Sequence, residues 1–504
     1  MKLHFFFLFL CLSVILPKII FAQEKKEVEI LNADALKFTE IDGKKYTRLI
    51  GNVQLKQENV LMWCDSALLD KDSNSVVAWN HIHIQQDTTH AYSQFLDYNG
   101  NTKLAILRNN VKLTDTKAAI LTQELFYNTR EKRAYYVSGG TVLRDSSVIK
   151  SRRGIYYSET GDVFFNKNVV ITDPNYNLTS DTLKYNVNTD WATFYGNTEI
   201  VNDQSRILCD NGWFDTKQDI ASFGFNTTIL NGAQRLNADS LYYERNAGYG
   251  KAMQRFVWAD TSMGIEIHGR RGDYFEENSK LIAFDQAFAI YKMQDDSLFL
   301  RGDTLLSQEH SATDTTKDFM AFHHAKFFMR NMQGVCDSLF YASSDSTFRM
   351  YYNPLVWADS TQMLGDSIHL KLKNKRADFL TLFDESIIIS PESKYYNQIQ
   401  GKTIFGYFIE NELDRMNVTA NAESLYFGKN DKQKYIGANR ATSAEMWMYF
   451  KNRKISRVSF IDKPEAVFTP LKMMQPDDYK LSLFNWQIER KPKSRAEITG
   501  FETP

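Results

Sequence analysis

A spacing of 29 residues constrains this chain more than any other feature. The stretches 178–185, 207–214 and 236–243 carry Asp181, Asp210 and Asp239 at the same place, 29 residues apart. Stepping back by the same interval reaches Arg152, Gln123, Gln94 and Asp65, so seven units stand in strict register. Around that block the interval loosens, with Asp34 before it and Arg270, Asp303, Asp337 and Asp366 after it. Weaker copies fall at Lys402, Glu423 and Glu445. A period of this size marks one supersecondary unit stacked many times.

Each unit reads as two strands. Apolar residues alternate before the marker residue (Leu178, Ser180) and after it (Leu183, Tyr185), the period-two pattern of a half-buried strand. The parity switches across the marker, and apolar side chains stay on one face through such a switch only if the strand bends. The marker is therefore a corner. The residue just before it is small throughout: Ala33, Cys64, Ser93, Thr122, Ser151, Ser180, Cys209, Ala238, Gly269, Gly302, Cys336 and Gly365. Small side chains in that slot are what a crease between two walls requires. Gly/Asn pairs some 15 and 16 residues after the marker permit a second bend in the returning strand. The expected fold class is all-β: a repetitive β-jellyroll or solenoid of two facing sheets, with a repeat of about 29 residues.

Other features bound the organisation. Residues 1–22 read as a secretory signal peptide, with an apolar run from Phe5 to Leu16 and cleavage after Ala22. Regular repeats are expected over 23–300 and a looser continuation over 301–463, with an insert near 307–334. Residues 464–504 read as a cap or docking tail, since Pro464, Pro470, Pro476 and Pro492 break strand pairing. The balance of 60 basic against 61 acidic residues argues against nucleic acid as a partner. Cys64, Cys209 and Cys336 occupy one slot of distant units; at least about 24 Å of stacked strands separates the first two, so free, buried thiols are expected.

Conspicuous polar residues read as structural. The column of aspartates invites a cation, but Gln94, Gln123, Arg152 and Arg270 interrupt it; the expected role is to satisfy backbone N–H groups of the bent strand. His81 and His83 share a strand, and His323 and His324 lie in the insert, without further ligands at zinc spacing. No nucleophile elbow, phosphate loop or His-Glu-x-x-His motif occurs. A non-enzymatic protein without cofactor or metal is expected.

The signal peptide, the repeated grammar of Leu31-Asn-Ala-Asp-Ala-Leu-Lys-Phe38 followed by Ile50-Gly-Asn-Val-Gln-Leu55, and the all-strand pattern resemble the OstA/LptA family of lipopolysaccharide-transport proteins. That resemblance implies an open, V-shaped β-jellyroll, with the acyl chains of lipopolysaccharide or a related glycolipid in its groove. It also implies a periplasmic location, with association at the outer membrane, and partnership with other lipopolysaccharide-transport proteins by edge-strand addition. The residues themselves leave open whether the two sheets close on a packed core or splay into a groove. The rows expected to line such a groove are Leu36, Leu96, Leu125, Leu183 and Leu241 with Val53, Leu55, Ile82, Ile84, Val111, Leu113, Val169 and Ile171. A structural or adhesive envelope β-solenoid with a closed core and no ligand is the alternative.

Overall fold

The bend expected at each marker is present, and its mechanism is a bulge shared by two neighbouring strands. In the computed structural model, which describes residues 26–500 except 117, 145, 294–295, 312–313, 411 and 452–453, strands pair antiparallel with nearest neighbours in sequence. The strands Lys44–Gln57 and Val60–Asp70 are in register up to Ile50–Ser66 and again from Val53–Cys64, with a bulge between. The same interruption recurs in the next pairs, between Trp63 and Ser66 and between Trp79 and Ile82. Left-handed residues sit at these bulges on the returning strand: Asn80 and His81, Asn109 and Asn110, Lys167 and Asn168, Phe225 and Asn226. Asparagine tolerates that conformation better than most residues, which is why the pairs 15 and 16 positions after the marker read as bend-permissive.

The marker aspartates hold these bulges through side chains, not through backbone N–H groups as expected. Asn52 Nδ2 donates to Asp34 at 2.9 Å, Asn226 Nδ2 donates to Asp210 at 2.6 Å, and His81 Nδ1 lies 2.9 Å from Asp65. His324 stands at the same place beside Asp303 at 2.8 Å. The backbone carbonyls freed at the bend are met by the small slot instead: Ser93, Ser151 and Ser180 Oγ donate to the carbonyls of Phe95, Arg153 and Thr182. The slot is tight. A Cβ on Gly269 would lie 2.8 Å from the Phe256 ring. Cys64, Cys209 and Cys336 are free and buried there, and burial, assisted by the adjacent aspartate, pushes each thiol up to about 12.

Two compact units result, dividing at Val163 and Phe164, inside the stretch whose sequence reads as uniform. In unit 1 each bent strand contributes one segment to each wall. Leu49, Ala67, Ala78, Leu96, Leu107 and Leu125 run straight across one wall, each opposite the next. Leu55, Met62, Ile84, Ala91, Leu113 and Ile120 do the same on the other. All twelve are buried, so the two rows face each other as one core.

Unit 2 repeats this plan, in strict register through Asp239 and with a looser period after it. The insert is a lengthened hairpin, Thr304–Ser311 with Asp314–Phe328. Between Met332 and Lys373 the bent strands break into separate pieces, Thr347–Tyr351 and Leu355–Ala358, then Thr361–Leu364 and Ser367–Lys373. After Glu465–Pro470, which pairs with Tyr435–Lys451, the chain leaves the sheet and runs as a strap to the helix Arg495–Thr499. The signal-peptide residues 1–22 and the final residues 501–504 lie outside the described residues. Among the described residues no helix is long and apolar enough to cross a membrane.

Candidate functional site

Whether a pair of facing sheets can admit a guest depends on its mouth, the edge opposite the crease. In unit 1 that edge is closed by a repeated clasp. The Tyr98 hydroxyl donates to Gln57 Oε1 across the gap between the walls, and Tyr127 donates to Gln86 Oε1 at 2.6 Å. Tyr156 donates to Asp115 in the same relation, with 41 residues between the partners each time. The amides finish the closure, Gln57 Nε2 donating to Gly100 O and Gln86 Nε2 to Thr129 O. Burial pushes Tyr98 up to about 12 and raises Tyr127 further. A sandwich clasped in this way is a packed core.

The rows expected to line a groove fall largely inside such cores. Val53, Leu55, Ile82, Ile84, Val111 and Leu113 lie on one wall of unit 1, and Leu96 and Leu125 on the other; all are buried. Val169, Ile171, Leu183 and Leu241 are buried in unit 2. Leu36 differs: it is 48% exposed, because its strand Ala35–Ile41 faces only the four-residue strand Glu29–Asn32.

An open space lies further along unit 2, where no expected site residue stands. A recess of about 980 Å³ separates the two walls. One wall presents Leu339, Met350, Leu382 and Ile404, joined through Ile368, each opposite the next. The other presents Met363, Ile388 and Ile399. Charged residues line it as well, Asp296, Arg330, Asp359 and Glu412 among them; Lys429 pairs with Glu392, and Lys375 lies 5.5 Å over the Tyr291 ring. The carboxylate hydrogen bond holds the Lys429 ammonium above the usual lysine range.

The sequence carries a signal for this opening. Eight residues before the marker, unit 1 has Gln57, Gln86 and Asp115, the acceptor side of the clasp; in unit 2 the same slot before Asp337 and Asp366 holds Met329 and Ala358, both in the recess lining. An apolar residue there cannot receive a tyrosine hydroxyl.

The outer face of the wall holding Met363, Ile388 and Ile399 is covered by the C-terminal strap. On that face Trp357, Gln362, Ile389, Gln398 and Leu425 lie in one line across five strands. The strap crosses this line on glutamine side chains that act as strand partners. Gln398 accepts from Leu481 N at 2.7 Å and donates to Tyr479 O at 2.9 Å. Gln362 accepts from Gln487 N at 2.8 Å and donates to Asn485 O at 2.6 Å. Gln400 accepts from Leu483 N at 3.1 Å. Leu481 completes a cluster with Leu425, Phe427 and Ala438, and Lys326 meets Glu497 at the far end.

The geometry defines a class: a repetitive antiparallel β-jellyroll, clasped in one unit and recessed in the other. The model of the OstA-like protein family matches residues 25–181 and 167–239. The two matches together span residues 25–239, less than half of the chain, and the recess lies beyond them. Among solved structures, LptH of Pseudomonas aeruginosa is described as the LptA-homologous periplasmic component of the lipopolysaccharide transport device. It is 15% identical, with a TM-score of 0.22 over 28% of this chain and 95% of its own. The WD40 domain of SCAP from fission yeast aligns at 9% identity and a TM-score of 0.09, over 89% of this chain and 91% of that one. Neither likeness is close enough to carry an argument. Among curated proteins nothing matches.

Proposed function

We propose that this is a periplasmic lipid-binding protein of the lipopolysaccharide-transport type, which carries lipopolysaccharide or a related glycolipid with its acyl chains in the unit 2 recess. The observation that carries the reading is the recess itself: a space of about 980 Å³ between a wall that presents Leu339, Met350, Leu382 and Ile404 and a wall that presents Met363, Ile388 and Ile399. Burying an acyl chain there gains about 0.8 kcal/mol per methylene. The OstA-like match and the resemblance of the N-terminal repeats to lipopolysaccharide-transport proteins support the ligand class. The reading is of a binding protein, not an enzyme, exported by the N-terminal signal sequence.

Partners of the same transport system would join at sheet edges. Two terminal strands offer apolar side chains for this: Ala35–Ile41 with Phe38 exposed, and Glu465–Pro470 with Val467 exposed. A second reading has support in unit 1, whose clasped interior favours a structural role for those repeats. Photo-crosslinking separates the two. Probes at Ile388 and Ile404 are expected to capture lipopolysaccharide in cells, while probes at Val111 and Ile171 capture none. Silence at both recess positions would leave the closed structural solenoid as the better account.

A further inference from the structure

We propose that the recess is built to accept acyl chains of differing length and branching, with methionine as the residue that confers this tolerance. The proposal rests on the lipid-binding reading above and adds the class of chain. Its basis is the lining. Met293, Met329, Met332, Met350, Met363 and Met416 all face the recess, although the whole chain has only 15 methionines.

The placement is as telling as the number. Met350 and Met416 come from one wall, and Met363 faces them from the other; all three are buried. Met293, Met329 and Met332 are half-buried on or beside turns, where an entering chain would pass first. Adaptable side chains therefore stand on both walls and at the mouth.

Methionine differs from the residues used elsewhere for the same burial. The clasped rows of unit 1 rely on Leu, Val, Ile and Ala, with Met62 as their one methionine, and β-branched side chains are stiff at their first torsion. Such a surface keeps one shape and selects for it. Methionine is unbranched, has three rotatable bonds and a polarizable sulfur, and fills irregular gaps at little cost. Surfaces rich in it serve binders that accept many partners.

A displacement assay tests this on the full-length protein. A fluorescent fatty-acid probe is bound and then displaced by straight-chain, methyl-branched and cis-unsaturated fatty acids. The wild type is expected to bind these within about tenfold of one another, and a Met350→Leu, Met363→Ile, Met416→Leu variant to spread them by roughly a further tenfold. An equal spread in both proteins overturns the proposal, as does a wild type that selects a single chain shape. Should the buried variant fail to fold, Met329→Ile with Met332→Ile, both at the half-buried mouth, is held to the same criterion. A wild type that binds no fatty-acid probe overturns the lipid reading itself, and this proposal with it.

Discussion

Tyr127→Phe removes one hydroxyl from the mouth of unit 1 and leaves the Oε1 of buried Gln86 without its donor. An unsatisfied buried acceptor costs about 1–3 kcal/mol, so the variant should unfold at lower denaturant than wild type with an unchanged slope. Alkaline pH tests the same clasp. Burial raises Tyr98 to about 12 and Tyr127 in the same direction, whereas an unfolded tyrosine titrates near 10. The folded state holds the proton more tightly, so this stability is fully present below about pH 10 and is lost as pH rises through the folded value. Thermal unfolding should therefore fall steeply above about pH 10, and less steeply in a Tyr98→Phe, Tyr127→Phe variant. Parallel pH profiles for the two proteins would show that the clasp does not control the mouth.

The strap is an element held without a single strand pairing. Its amides at Leu481, Leu483 and Gln487 are protected by glutamine side chains of Gln398, Gln400 and Gln362. Replacing all three glutamines by alanine should bring those three amides close to free hydrogen exchange, while the ladder amides of Arg376–Glu392 and Tyr395–Ile409 stay slow. If the three amides keep their wild-type protection, the apolar contacts of Leu481 hold the strap alone. None of this was legible beforehand, because Gln362 and Leu481 are far apart in sequence and a glutamine on a strand face looks solvent-exposed. The crease, by contrast, was legible. It rests on local rules, in which parity, a small slot and Asn or Gly at fixed offsets each leave a mark within one repeat. The recess falls between these cases, since Met329 and Ala358 mark it only once Gln57 and Gln86 are known to be clasp acceptors.

At the scale of the molecule, the repeat makes a prediction that no single contact makes. Each period of 29 residues contains one complete antiparallel hairpin, so excising residues 66–94 from unit 1 joins Asp65 to Phe95 and leaves every downstream residue on its original wall. The clasp survives the excision in a new pairing. Gln57 then stands 41 residues before Tyr127, the separation that Gln86 had, while Tyr98 loses its acceptor and takes the place of Leu69. Removing one residue fewer, 66–93, keeps the composition nearly identical but shifts the period-two alternation at the junction, putting Leu96 and Tyr98 out of phase with Val60 and Met62 on the same fused strand. The first deletion should fold, with circular dichroism of an all-β protein and a cooperative thermal transition close to the parent's. The second should lose that transition or aggregate from exposed apolar strand edges. Equal behaviour of the two deletions would mean that unit 1 is held by individual contacts and not by the periodic register from which its fold was read.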